Sequence, residues 1–282
     1  MLEALNTRVG HWTHETGRTG CTAIVFDGAT TASAEVRGGA PASRELALLC
    51  PQRTVTQVDG VVLTGGSAFG LAAADGAMQY FHEQQRGVST PAGKVPIVPA
   101  LALFDLAAES QRAVPGAADG YSACIAADAE PPMGRVGAGA GATTGAITGT
   151  LQPAGIAMET VRRDTLQVTA IVAVNAFGII DTAGDAAENL CATPHLPGLD
   201  SDTFVSNTTI GVVITNAALD KNACRLAAQG AHHGLSRAIA PSHTRFDGDA
   251  FIAVSTGAVA ANVDMVALLA NAAVARAIRS LA

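Results

Sequence analysis

Residues 206–216 read SNTTIGVVITN, and the placement of this stretch decides the fold. From Ile210 to Ile214 the residues are apolar and mostly β-branched, which is the composition of a buried strand. The entry to that strand is polar: an amide, Asn207, precedes two hydroxyls, Thr208 and Thr209. Side chains alternate along a strand, so the two threonines face opposite ways. A hydroxyl at the mouth of a rigid element is either an ordinary polar strand entry or a nucleophile held in place.

Working outward, the strand at 208–215 leads into a helix opened by Asp220 and Lys221, with Ala223, Leu226, Ala227, Ala231 and Leu235 at helical spacing. AFIAVSTG (250–257) is predicted as a strand and 261–281 as a closing helix. Upstream lie predicted strands near 154–162, 166–175 and 177–181, then a Gly-, Pro- and Asp-rich loop over 183–203, the candidate for an exposed or excised segment. Nearer the start, 21–27 and 32–39 read as paired strands, 42–50 as a short helix, 58–66 as a buried strand and 67–85 as a helix. The segment 95–106 is apolar and proline-punctuated, so strand or loop; 120–130 reads as a helix and 134–149 as a glycine-rich turn region. Strand pairs mixed with long helices argue for layered α/β or α+β architecture. There is no internal repeat and no linker between two cores, so one composite domain over 1–282 is expected.

Composition narrows the function. Hydrophobic residues make up 49% of the 282 and charged residues only 15%, against about 25% in typical soluble proteins, which favours a large core and surface buried against other subunits. Net charge is -7 and no basic run occurs, which argues against nucleic acid as a partner. The stretch 1–20 holds no apolar run of signal-peptide length and no run in the sequence approaches membrane-span length, so the expectation is a cytoplasmic protein without membrane association. The five cysteines, at 21, 50, 124, 191 and 224, are scattered and form no CxxC, as expected of reduced thiols.

Most candidate motifs have plain structural readings. The glycine run 137–145 lacks the strand before and the acid after that a dinucleotide fingerprint needs, so it reads as close backbone packing or an anion-accepting turn. Ser67 stands between a strand and a helix, but Gly65-Gly66-Ser67-Ala68-Phe69-Gly70 is not GxSxG, so it reads as an N-cap. His232 and His233 are adjacent, about 100° apart on a helix, and no HExxH occurs. Surface or helix-terminal histidines account for the seven, and neither metal nor cofactor is expected. Asn175 ends an apolar strand and Tyr121 sits in DGYSAC. In SHTRFDGDAFIAV, Asp247 and Asp249 stand two apart before a strand; such a pair is normally a turn, but in extended chain both carboxylates can aim at one point. Two acids and a strand-entry threonine form a nucleophile-plus-activator set.

Taken in order, VGHWTHETGRTGCTAIVF, EVRGGAPASRE, VVLTGGSAFGLAAADG, PIVPALALFDL, GAGAGATTG, VAVNAFG, NTTIGVVITNAALDK and PSHTRFDGDAFIAVSTG closely resemble the DmpA/β-aminopeptidase family. The family includes the 6-aminohexanoate-oligomer (nylon oligomer) hydrolases, and the resemblance runs from about residue 8 to the C-terminus. It implies a four-layer αββα sandwich of the DmpA/ornithine acetyltransferase type. It also implies an N-terminal-nucleophile hydrolase, cut from one inactive chain and assembled as a tetramer of processed pairs.

Carried onto this chain, the resemblance places the cut between Asn207 and Thr208, giving 1–207 and 208–282 with Thr208 as nucleophile. Asp247 and Asp249 match the acid pair of the nylon-oligomer branch, Asn175 the oxyanion asparagine and Tyr121 the active-site tyrosine. The implied substrate is a small peptide or short linear amide. One position departs from the pattern: many relatives close the glycine-rich turn with a lysine, where this chain has Ala146. Losing a cation there removes an influence that lowers nearby pKa values. Acyl transfer of the ornithine acetyltransferase kind, or a weak or inactive member of the fold, are the alternatives the same residues allow.

Overall fold

Alternation along the ten strands of two five-stranded sheets builds the molecule, which the computed structural model describes for residues 2–15, 18–106, 113–200 and 207–282. The strands are β1 (Thr7–Thr13), β2 (Gly20–Phe26), β3 (Thr31–Val36), β4 (Ala42–Arg44), β5 (Gly60–Thr64), β6 (Ala100–Ala102), β7 (Gly155–Arg163), β8 (Leu166–Asn175), β9 (Thr208–Ala217) and β10 (Ala250–Val259). They form two sheets, in the orders β1-β2-β5-β6-β4 and β7-β8-β9-β10-β3. Among the described residues six α-helices accompany them: α1 (Ser67–Gly70), α2 (Ala73–Glu83), α3 (Ala117–Ile125), α4 (Ala186–Ala192), α5 (Lys221–Ser236) and α6 (Val263–Arg279).

The sheets stack face to face. Ile210, Val212 and Ile214 of β9 and Ile171 and Ala173 of β8 meet Ile24, Leu63 and Leu101 of the first sheet in the middle core. The intervening residues Val172, Val174 and Val213 turn the other way, onto Ala227 and Ala231 of α5 and Val266 and Ala270 of α6. On the far side α2 and α3 cover the first sheet through Ala73, Ala77, Phe81 and Ala123. The layers are therefore helix, sheet, sheet, helix. Each fully buried Val, Ile or Phe contributes about 1.5–3 kcal/mol relative to exposure, and three such cores explain the apolar composition.

Helix boundaries follow local chemistry. The Asp220 carboxylate accepts the Ala223 N–H at 2.8 Å and opens α5, while Asn262 accepts from Asp264 and Met265 and opens α6. Lys221 turns its buried ammonium onto the carbonyls of Leu48, Arg53 and Val55, at 2.8, 3.2 and 2.9 Å. All five cysteines are free. Among the described residues, no helix is long and apolar enough to cross a membrane.

Several sequence expectations are corrected. Strands 21–27 and 32–39 do not pair: β2 lies between β1 and β5, whereas β3 crosses to the second sheet and pairs with β10. The expected helix 42–50 is the short edge strand β4 followed by one 3₁₀ turn, with Glu45 between them at φ 58°. The loop 183–203 contains α4 and a 3₁₀ turn at Pro197–Leu199; its last part, 201–203, lies outside the described residues. β1 has no counterpart in the sequence reading.

Candidate functional site

Thr208 opens β9, directly across the antiparallel pair from Asn175, the last residue of β8. By the alternation described above, both side chains fall on the face between the sheets, and Thr209 falls on the helix side. Both are buried, at 2% exposure. The Thr208 hydroxyl donates to the carbonyl oxygen of Asn207, the residue immediately before it. That oxygen also accepts the Gly248 N–H at 2.9 Å. Asn207 is fixed on its other side by its N–H to the Phe246 carbonyl, and it pairs in parallel with Asp247. The carbonyl between residues 207 and 208 thus carries a hydroxyl neighbour and a main-chain donor.

Only glycine fits at 248. An added Cβ would stand 2.8 Å from the Thr208 Oγ1 and 2.7 Å from the Ala40 carbonyl oxygen. The segment 37–40 is pressed against the same loop: Arg37 and Gly38 donate to the Asp249 carbonyl, and Ala40 to that of Asp247.

Asp247 and Asp249 flank Gly248, each 1% exposed, and their carboxylates are satisfied separately. Asp247 accepts from the Phe177 N–H at 3.1 Å, the Thr244 N–H at 3.0 Å and the Thr244 hydroxyl at 2.6 Å. Asp249 accepts from the Thr209 N–H at 2.8 Å, the His243 N–H at 3.0 Å and His243 Nδ1 at 2.9 Å. The expectation that both carboxylates aim at one point is met only in that they brace the two sides of one turn. Burial, then the charge of Asp249, push Asp247 up to about 6. The apolar surroundings include Phe177 and Phe246, whose rings lie 5.0 Å apart, and Ala146 packs against the same cluster.

The Asn175 amide is oriented by main chain at both ends. Its Nδ2 donates to the Phe104 carbonyl at 2.7 Å, and its Oδ1 accepts the Thr143 N–H at 3.0 Å from the glycine-rich turn. One of the two amide hydrogens is committed in this way. The glycines of that turn serve close packing, since Cβ atoms at Gly139 and Gly141 would meet the Ile156 N and Arg18 O within 2.2 Å.

Two predicted residues are placed elsewhere. Tyr121 lies on α3, in the outer helical layer, with its ring against Tyr80 and its hydroxyl donating to Glu83 at 2.7 Å. The structure does not bring it to the Thr208 cluster. Ser67 is the first residue of α1, and Gly66, at φ 78°, holds the cap position expected of it.

The sequence reading missed His243. It was grouped with surface histidines, yet its ring is mostly buried, with φ at 55°, and it binds Asp249. His232 of α5 is fully buried beside it, the rings 4.9 Å apart edge to face. His232 Nε2 donates to the Glu35 carbonyl at 2.9 Å, and burial lowers this imidazole to about 4. The available signal was the spacing of a histidine six residues before the second acid.

A model of Peptidase family S58 matches residues 5–282. The chain is 40% identical over 259 residues to an uncharacterized aminopeptidase of Mycobacterium tuberculosis, covering 86% of this chain and 74% of that protein. It is 28% identical over 265 residues to the 6-aminohexanoate-oligomer endohydrolase of a Kocuria species, covering 88% and 72%. The solved L-aminopeptidase D-Ala-esterase/amidase of Ochrobactrum anthropi, described as a variant of the Ntn hydrolase fold, superposes with a TM-score of 0.75 at 18% identity, covering 97% and 82%.

Proposed function

Because the chain belongs to peptidase family S58, and is thereby a hydrolase of amide bonds, we propose that it cuts itself between Asn207 and Thr208 and then uses Thr208 as nucleophile on small peptides or short linear amides. The observation that carries this reading is the Asn207 carbonyl, with the Thr208 hydroxyl against it and the Gly248 N–H on its oxygen. A tetrahedral oxyanion formed there has its donor already in place.

In the first step the Thr208 Oγ bonds to the Asn207 carbonyl carbon and the bond to the Thr208 nitrogen breaks. The proton leaving the hydroxyl ends on the departing nitrogen, and the product is an ester. Water hydrolyses the ester, freeing a carboxylate at Asn207 and an amine at Thr208. While the nitrogen is an amide it cannot serve as base, so a carboxylate of the Asp247–Asp249 pair takes the proton in transit. Once free, an α-amine has a reference pKa of about 7.7–8.0, and near neutrality part of it is unprotonated. Thr208 then supplies nucleophile and base together. Substrate acylates its oxygen, and the second N–H of the Asn175 amide, across the strand pair, stabilises the oxyanion.

Names among the relatives set the substrate range to be tried: aminoacyl amides from the aminopeptidases and 6-aminohexanoyl amides from the endohydrolase. Large exposed apolar side chains, Phe69 and Ile125 among them, support self-association, which light scattering would measure as tetramer or smaller. The decisive experiment is intact-mass analysis with Thr208→Ala beside the unsubstituted chain. Fragments ending at Asn207 and beginning at Thr208, absent from the variant along with amide hydrolysis, are expected. A Thr208→Ala protein that still processed and hydrolysed amides would overturn the reading.

A further inference from the structure

We propose that His243 is a positioning residue for the acid pair: by giving its Nδ1–H and its own main-chain N–H to one oxygen of Asp249, it fixes that carboxylate as an acceptor and leaves the exchangeable proton of the pair to Asp247. The inference rests on the reading of Thr208 given above, and assigns the two acids different tasks.

The geometry separates them. Asp249 faces three nitrogens, two of them main-chain N–H donors, and a carboxylate that accepts from all three puts the hydrogen of the third contact on His243 Nδ1. Reversing the tautomer against an accepting carboxylate would break that bond and bury an Nε2–H that has no partner among the described residues. Asp247, in contrast, meets the Thr244 hydroxyl, which rotates and accepts when the acid is protonated. Asp247 can change its protonation by the rotation of one hydroxyl; Asp249 could do so only if the imidazole changed tautomer with it.

The ring is held in that role from several sides. His243 takes a left-handed backbone, which histidine tolerates better than most residues, and this aims its N–H and Nδ1 at the same oxygen. Behind it His232 is locked by its bond to the Glu35 carbonyl and by edge contact with Phe251 at 5.0 Å. The charged and titratable groups around His243 are Asp249 and Asp247 from its own loop, His232 from α5, and Arg37 following β3, which acts on His232 as a like charge. The Glu35 carboxylate is engaged by Arg225 at 3.1 Å.

The chain is its own substrate, so the test needs no identified ligand. The rate at which fragment 208–282 appears after cell-free synthesis is measured from pH 4.5 to 8, with His243→Gly and His243→Asn beside the unsubstituted chain. Glycine removes the ring without backbone strain; asparagine keeps a nitrogen donor near the Nδ1 position and accepts the left-handed backbone. His243→Gly is expected to move the acid limb of the profile up by about one pH unit and to slow cleavage at pH 6 about fivefold. His243→Asn is expected to restore the limb to within about 0.3 unit on the same reasoning. A merely structural role would lower the melting temperature of both variants and leave the limb where it was, which would overturn the proposal. Nitrogen-15 shifts of His243 in unsubstituted protein give a check independent of folding: a proton on Nδ1 supports it and a bare Nδ1 overturns it. Cleavage that persists in Thr208→Ala sinks the nucleophile reading and this inference with it, whereas Thr208-dependent cleavage with an unmoved limb sinks this inference alone.

Discussion

Asn175 and Thr208 stand opposite one another as the terminal residues of neighbouring antiparallel strands, one ending where the other begins. Their side chains share the face between the sheets, so a donor amide and a hydroxyl are fixed by the register of a buried ladder rather than by a loop. A one-residue slip of either strand would send its own member of the pair to the helical side. The register is secured by eight consecutive residue pairs, from Val168 with Thr215 to Asn175 with Thr208.

Asn175→Ala is therefore expected to lower kcat by about 10²–10³, the usual cost of one oxyanion donor. Self-cleavage should suffer less, because the Asn207 carbonyl has the Gly248 N–H. Comparing turnover by processed protein with the rate of fragment formation measures the split; equal losses in both would count against separate donors.

Gly248→Ala should yield an uncut chain. Its Cβ would enter the Thr208 hydroxyl at 2.8 Å and the Ala40 carbonyl at 2.7 Å, so the turn must shift. Overpacking of this kind costs about 1–3 kcal/mol of stability. Mass spectrometry and a urea titration read the two effects, and a normally processed variant would show that the turn tolerates displacement.

Much of this arrangement was legible in the sequence, and the failures have a common origin. β9 and α5 announce themselves locally, through Ile210 to Ile214 and through Asp220 at the cap. The pairing of β2 with β3 was wrong because sheet partners are chosen across the whole chain: β3 finds β10, more than 200 residues on. ASRELALLC has helical spacing, but Glu45 adopts a left-handed backbone so that Ala42–Arg44 can edge the first sheet. The tie between His243 and Asp249 depends on that same kind of backbone turn, which their six-residue spacing does not by itself reveal.

Activity should fall on the acid side through about pH 6, where Asp247 takes up its proton. The same shift has a consequence for stability. The folded protein holds this proton more tightly than the unfolded chain, whose aspartates titrate near 3.9, so the contribution of Asp247 declines as pH rises from about 4 to about 6. Asp247→Asn should flatten that part of the unfolding free energy against pH. An acid limb below pH 5 in unsubstituted protein would contradict the assignment.

His232 works in the opposite direction. Burial holds it near 4 when folded against about 6.5 unfolded, so stability is full above 6.5 and is lost as pH falls towards 4. His232→Phe should be less stable at pH 7, having lost the bond to the Glu35 carbonyl, yet lose less on acidification. Melting temperatures at pH 4.5 and 7 test both halves of the statement.

Lys221→Met offers a control at the opposite end of β9. Three carbonyls lose their shared donor, which should cost about 2–4 kcal/mol. Folded variant should nonetheless turn over at the normal kcat. A large fall in kcat without loss of stability would mean that the two ends of the sheet communicate.

β9 lies between β8, which belongs to the part of the chain before Asn207, and β10, which belongs to the part after it. Both cores that flank this sheet also draw on the two parts together. Severing the backbone ahead of β9 would therefore divide the covalent molecule without dividing the folded one. Two polypeptides would migrate on a denaturing gel, yet a calorimeter would record a single cooperative melt. Each piece made alone would be left with an unmatched strand edge and half an interior.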